Sequence, residues 1–364
     1  MAGGVDGLED VVAAETVLSD VDGEAGRLII RGRCLDELAG RWSFEEVTAL
    51  LWSGFFEGVP GDFRPAIGAA RVEVFAEVAA LDADLLARGP VEATRALIAR
   101  LSDGDDLATA LRLIAAPAVF TPAVIRAQAG EAPLAPDPTL GHAADILCMT
   151  RGEPASAAET AALDTYLVTV ADHGLNASTF AARVVASTRA GLTSAVLAGI
   201  SALKGPLHGG APGPVIEMLD AIGDPAHAGA WLEASLDRGD RLMGFGHRVY
   251  RVRDPRADAL KRAVKALSEG SNRLPGRLAF AEAVEAAALA VLRVRKPNRS
   301  LQTNVELYTA LLLEALKFPP AAFTCVFAMG RVAGWIAHAR EQFATGRLVR
   351  PQSRYIGPRP QAAA

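Results

Sequence analysis

The sequence predicts an all-α fold in two domains, with one small β-hairpin near its start. Three observations carry that expectation. Alanine-rich amphipathic stretches follow one another between short Gly/Pro breaks, as in STFAARVVASTRAG, TSAVLAGISALKG and EAVEAAALAVLRVRK, and small side chains let such helices pack closely. Helix-start signals recur: Ser43 with Glu46 ahead of VTALLW, and Ser156 with Glu159 ahead of TAALDTYLVTVADH, have the spacing of capping boxes. At 364 residues the chain exceeds what one hydrophobic core usually holds.

The elements follow in order. ETVLSDVDGEAGRLIIRGR reads as two short extended runs around an Asp-Gly turn, a hairpin expected to be peripheral. AAPAVFTPAVIRAQAGEAPLAPDPTLG is expected to be a surface excursion or a break between helices, because proline interrupts the helical ladder. In KGPLHGGAPGPVIEML one helix is expected to stop at Gly205 and another to begin around Val215, across a turn that could serve as a hinge or domain boundary. No internal repeat or low-complexity segment is visible.

Bulk properties exclude several classes. Hydrophobic residues at 51% and charged ones at 22% place the chain among ordinary globular proteins rather than disordered ones. A net charge of -5 gives no general attraction for phosphate backbones or anionic lipid, so nucleic acid and membrane are not expected partners. Cys34, Cys148 and Cys325 are odd in number and outside any CxxC pair, which supports neither a disulfide framework nor a zinc ribbon and fits a reducing cytoplasm. MAGGVDGLEDVVAAE has acids where a signal peptide wants bases, and no apolar run is expected to span a bilayer; even LAFAEAVEAAALAVL is interrupted by glutamates.

Chemistry concentrates in a few places. LMGFGHRVYRVRDPRADALK holds Gly244, Gly246, His247 and the arginines Arg248, Arg251, Arg253 and Arg256. It is not a dinucleotide fingerprint, since Val249 replaces the third glycine, and KGPLHGG lacks the Gly-Lys-Ser/Thr end of a phosphate loop. As a charge run alone it reads as a solvated face partly neutralised by Asp254 and Asp258. Arg331 in FAMGRVAGWIAHA and Arg350 in RLVRPQSRY stand in apolar or proline-bounded settings, and each calls for a carboxylate or phosphate.

His173 follows a long helix, His208 lies in the Gly/Pro turn and His247 beside the arginines, whereas His142, His227 and His338 look ordinary. Near a helix N-terminus His208 would be held neutral, able to donate without carrying charge; taken alone, it reads as a turn histidine bonding backbone. No HxxH, HxxxH or HExxH pair suggests a metal site, and no G-x-S-x-G elbow or cysteine nucleophile suggests covalent hydrolysis. In TNVELYTALLLEAL, Glu306 starts an apolar helix where desolvation would raise its pKa toward that of a general base; taken alone it reads rather as an acid favoured by the helix dipole.

Taken together, ADHGLNAST, GPLHGGAPGPVIEML, GFGHRVYRVRDPRA, TNVELY and GRVAGWIAHAREQ, in that order, resemble the successive signatures of the citrate synthase family, and the resemblance covers almost the whole chain. It implies an all-helical homodimer in which residues 1–209 with 319–364 form a large domain and residues 210–318 a small one that closes over substrates. The implied reaction condenses an acyl-CoA with a 2-oxo dicarboxylate, typically acetyl-CoA with oxaloacetate, and then hydrolyses the citryl thioester. No metal and no permanently bound cofactor is implied; acyl-CoA is a co-substrate.

By that resemblance His208 hydrogen-bonds the thioester oxygen, Glu306 removes the α-proton and His247 polarises the oxaloacetate ketone. His173, Arg256, Arg331 and Arg350 hold the substrate carboxylates, Arg350 reaching across from the partner subunit. Arg251 matches a CoA phosphate ligand, and the backbone of Met243, Gly244, Phe245 and Gly246 matches the loop that holds the adenine. One position departs: the typical member has aspartate where this chain has Glu306, and a carboxylate displaced by about 1 Å can lose ~100-fold in rate. The alternatives are a 2-methylcitrate synthase using propionyl-CoA, a citryl-CoA lyase, and a catalytically silent paralogue that binds a dicarboxylate or CoA.

Overall fold

Helices begin where local side chains can satisfy their first amide groups. Ser43 Oγ accepts the Glu46 N–H at 3.3 Å while Glu46 Oε2 accepts the Ser43 N–H at 2.7 Å, opening the helix Phe44–Trp52. Ser156 and Glu159 repeat the exchange ahead of Ala157–Val170. The computed structural model describes residues 7–8, 11–210, 212–247, 249–269, 274–299 and 301–358, so Arg248 lies outside the described residues. Among them are sixteen α-helices between Leu35 and Thr345, preceded by one small sheet. The all-α expectation holds.

That sheet has three antiparallel strands in the order β1 (Ser19–Asp22), β2 (Arg27–Ile30) and β3 (Arg33–Cys34), with Ser19 opposite Ile30 and Ile29 opposite Cys34. The third strand was not anticipated. Arg31 and Gly32, at φ 49° and 81°, make the tight two-residue turn that returns the chain.

The hairpin is also not peripheral. The Arg251 N–H donates to the Gly23 carbonyl at 2.9 Å, so its tip supports the segment that follows His247. A Cβ on Gly23 would lie 2.3 Å from the Val249 carbonyl oxygen, and one on Gly26 2.7 Å from Val252 Cγ2. At the other end, Ser19 Oγ donates to Asp172 Oδ2 at 2.5 Å and accepts the Gly174 N–H at 2.9 Å. The strands therefore brace His173 and the His247 segment together. Gly23→Ala is expected to destabilise the protein by about 1–3 kcal/mol through this clash. Hydrogen exchange of the Arg251 amide should accelerate, and an unchanged rate would mean the tip yields freely.

Two further expectations fail. Pro117 and Pro122 do not mark a break: both are buried inside the helix Leu107–Gln128, and only residues 129–141 form the connection. An interior proline costs about 3 kcal/mol relative to alanine, but this helix buries Leu113, Ile114, Phe120 and Val124 completely, and that burial overrides the propensity. Nor are long apolar runs absent. Leu107–Gln128 and Pro320–Thr345 are both long and apolar enough to cross a membrane by composition, although 78% and 83% of their apolar windows are buried inside this fold.

One connected apolar core runs through the described residues, and the helix Phe323–Thr345 passes along its middle. Gly330 and Gly334, one turn apart, allow that helix to touch the end of Ala157–Val170: a Cβ on either would lie 2.7 Å from Leu167 O or 2.3 Å from Ala171 O. This approach sets Arg331 against the segment that leads into His173. Beyond Leu203 the chain turns through Gly205–Gly210, and the next helix starts at Pro212, three residues earlier than expected, with Pro212 and Pro214 in its first turn.

Candidate active site

Five separate segments meet at one place. His173 follows Ala157–Val170, His208 occupies the 205–210 turn, His247 and Arg256 flank the start of the helix Pro255–Ser268, Glu306 lies in the first turn of Val305–Ala315, and Arg331 projects from Phe323–Thr345. The His173 and His247 ring centroids lie 5.6 Å apart and Arg256 Nη2 lies 3.1 Å from His247 Nε2, and the charges of Arg256 and Arg331 both act on His173 and His208, that of Arg256 also on Glu306.

His247 has its proton placed by its neighbours. Its Nδ1 accepts backbone N–H groups from Val249 and Tyr250, both at 3.0 Å, so the neutral ring carries its hydrogen on Nε2. Burial first, then Arg256, lowers its pKa to about 4, which keeps it neutral. Nε2 lies 3.1 Å from Arg256 Nη2, and a guanidinium is also only a donor. Two donors thus face one another, an arrangement that a shared acceptor oxygen would satisfy.

Arg256 is buried and held by Asp254, to which it donates from Nε at 3.1 Å and Nη2 at 2.8 Å. Asp254 also caps the helix by accepting the Arg256 N–H at 3.0 Å. Burial opposes the cationic form, but Asp254 more than offsets it and the pKa rises. Arg331 lacks such a partner: Nε donates to Val170 O at 2.5 Å, its guanidinium lies 5.0 Å from the Phe327 ring centroid, and it forms no ion pair among the described residues. Burial pulls its pKa down to about 10, with Asp172 opposing.

His173 is buried, its Nε2 3.2 Å from the Tyr250 hydroxyl, and burial followed by Arg256 and Arg331 holds it neutral. His208 Nε2 lies 2.8 Å from Ser178 Oγ. Ser178 accepts the Trp335 indole N–H at 3.2 Å, leaving its single proton for either Asn176 Oδ1, at 2.7 Å, or His208. When it points to His208, the ring proton stands on Nδ1, free to donate. The expected neutrality is present, with the pKa lowered to about 4, but its leading cause is burial, followed by Arg331 and Arg256 rather than a helix dipole.

Glu306 is positioned by its cap. Asn304 Oδ1 accepts the Glu306 N–H at 3.2 Å, and Asn304 Nδ2 donates to Gly246 O at 2.9 Å. The Gly246 N–H donates to Gln302 O and the Asn304 N–H to Gly244 O, so the Met243–Gly246 loop and the turn bearing Glu306 form one short ladder. Gly244 and Gly246, at φ 85° and 82°, supply backbone conformations that side chains disfavour. Glu306 Oε2 is buried and has no hydrogen-bond partner among the described residues. Burial raises its pKa, while Arg256 pulls the other way.

Two sequence-derived residues stand apart. Arg350 is exposed on the extended segment after Thr345, and the Arg251 side chain is exposed beside the hairpin tip. Sequence reasoning missed Tyr250, Ser178, Asn176 and Trp335, and read Asp254 only as neutralising the arginine run on a solvated face, whereas it is buried against Arg256. Asn176 and Asp254 were legible as helix caps; the other three sit in apolar or mixed runs without a spacing signal.

A carboxylate with one buried oxygen lacking a partner among the described residues, beside neutral imidazoles and guanidiniums, defines an enzyme that binds an anion and moves a proton at it. The family model described as citrate synthase, C-terminal domain, matches residues 7–352. Putative citrate synthase 2 of Mycobacterium tuberculosis is 40% identical, with 98% of this chain and 94% of that one covered. The 2-methylcitrate synthase of the same species is 38% identical, with 96% and 90% covered. The solved ternary complex of carboxymethyl coenzyme A and oxaloacetate with citrate synthase from Thermoplasma acidophilum has a TM-score of 0.85 at 28% identity, covering 98% of this chain and 97% of that chain. The chain belongs to the citrate synthase family and is a condensing enzyme of that type.

Proposed function

We propose that this enzyme condenses acetyl-CoA with oxaloacetate to give citrate and free CoA. The observation that carries the reading is the pair of opposed donors, His247 Nε2 and Arg256 Nη2, with the unpartnered Glu306 Oε2 in the same site. A ketone oxygen flanked by carboxylates supplies the acceptor those donors lack. Relatives named both citrate synthase and 2-methylcitrate synthase support the reaction class, and the Thermoplasma complex supports the substrate pair.

In this reading Arg256, Arg331 and His173 hold the oxaloacetate carboxylates, the partner subunit's Arg350 completing the set across a homodimer. Arg251 takes a CoA phosphate and the Met243–Gly246 backbone the adenine. Glu306 takes the α-proton of the thioester methyl as electrons move to the thioester oxygen, where His208 donates a hydrogen bond. The enolate carbon then attacks the ketone carbon, whose C=O π electrons move to oxygen; His247 and Arg256 stabilise that alkoxide, which gains in net terms the proton Glu306 removed, and water adds to the thioester carbonyl so that the C–S bond breaks and CoA leaves as the thiol. Residues 210–318 act as the smaller domain, closing to exclude water from the enol. The reading uses no metal and no resident cofactor.

An acyl-CoA panel with oxaloacetate, followed by free-thiol release, tests it. One methylene in a pocket is worth ~10–200-fold, so kcat/KM for acetyl-CoA should exceed that for propionyl-CoA by at least ~10-fold. A reversed order would make this a 2-methylcitrate synthase. Acetyl-CoA appearing from supplied citryl-CoA, with no forward turnover, would make it a lyase. Oxaloacetate binding without any thiol release would mark a silent paralogue.

A further inference from the structure

We propose that the Tyr166 hydroxyl is a substrate ligand that shares with Arg331 one carboxylate of the bound 2-oxo dicarboxylate, an assignment that rests on the reading above and extends its ligand set. Tyr166 is fully buried, and its hydroxyl oxygen has no hydrogen-bond partner among the described residues. Buried tyrosine hydroxyls normally find one, because leaving the group unsatisfied forfeits its hydration without replacement.

Its position says what is missing. Tyr166 and Val170 are one turn apart on the same face of Ala157–Val170, and Val170 O is the acceptor that fixes Arg331 Nε. The helix packs against the three helices that carry Arg256, Glu306 and Arg331. Of the charges that act on the phenol, Arg331 comes first, then Glu306 and Arg256. Burial is the largest influence and raises the phenol's pKa against the pull of Arg331, so it stays a donor. Beyond the Nε–H that Val170 O takes, the Arg331 guanidinium has N–H groups without an acceptor among the described residues, the phenol O–H lacks one as well, and a carboxylate has one oxygen for each. None of the motifs that mark the family signatures contains Tyr166; it lies inside an apolar run.

Tyr166→Phe in the full-length protein removes only this oxygen. The ligand role predicts that the free variant melts at a higher temperature than wild type, because an unsatisfied buried hydroxyl has gone. It also predicts that the Kd for oxaloacetate by calorimetry rises about 10–100-fold, the range for a hydrogen bond to a charged group. The KM for acetyl-CoA, and kcat at saturating oxaloacetate, should move less than about threefold. An unchanged Kd with a lower melting temperature would make the hydroxyl structural and overturn the assignment. So would an unchanged Kd with a reduced kcat and a displaced acidic limb of the pH profile, which would place the hydroxyl on Glu306. Wild type failing to bind oxaloacetate would refute the functional reading, and this assignment with it, whereas wild-type binding matched by the variant refutes the assignment alone.

Discussion

Glu306→Gln is expected to lower the rate of CoA release about 10³-fold while leaving oxaloacetate affinity near its wild-type value. The amide keeps the shape and the backbone cap from Asn304 but cannot accept the α-proton. Oxaloacetate affinity is spared because its carboxylates are assigned to guanidiniums and His173, not to Glu306. The pH profile follows in sign. Burial raises the Glu306 pKa above the ordinary 4.5, and only the ionised form is a base, so activity falls as pH drops through that raised value. The acidic limb should therefore lie above the usual glutamate range. Glu306→Asp should retain more activity than the amide but remain about 100-fold below wild type, since it withdraws the carboxylate by about 1 Å. Unchanged CoA release in the glutamine variant would remove Glu306 from the role of base.

Arg183→Leu is expected to destabilise the fold by about 3–5 kcal/mol, the cost of leaving one buried charge without its partner. Arg183 donates to Glu341 Oε2 at 2.5 Å and to His338 Nδ1 at 3.0 Å, which leaves the His338 proton on Nε2, facing Asp172 Oδ2 at 3.2 Å. Glu341 in turn accepts the Val17 N–H and Asp172 the Ser19 hydroxyl, so one buried chain of polar groups ties the first strand to the residue preceding His173. Thermal denaturation should show Tm lower by roughly 4–7 °C, because a chain of 364 residues has a large unfolding entropy. The double variant Arg183→Leu with Glu341→Leu should recover most of the loss, because no unpaired charge then remains. A single variant as stable as wild type would show that the network carries little net energy. Burial pushes Asp172 up, but His338 and Ser19 hold it below its ordinary 3.8, so its contribution is present at neutral pH and lost as pH falls through that lowered value.

What could be read in advance was local or carried by family motifs. The capping boxes at Ser43 and Ser156 were legible because the exchange that starts a helix lies within four residues. Pro117 and Pro122 misled because their local penalty was outweighed by burial against distant helices, which no short window contains. The strands β1 and β2 were visible, yet their location was not, since Gly23 meets Val249 across most of the chain. Among the candidate site residues, His247 and Glu306 were each ambiguous alone. The resemblance singled them out, and only coordinates revealed the opposed donors and the unpartnered Oε2. Tyr166 carried no signal, being one more aromatic in an apolar helix. Arg350 was named by resemblance, and its exposure sets it apart from its own chain's cluster.

The hairpin has a consequence for biosynthesis. Its glycines leave the ribosome early, while the stretch they must hold emerges roughly 230 residues later, a wait of about 10–50 s at ordinary elongation rates. During that interval the nascent amino-terminal strands have no dock and depend on chaperones or on their own solubility. The catalytic pocket is therefore among the last parts of the newborn chain to become ordered, whatever the speed at which individual helices form.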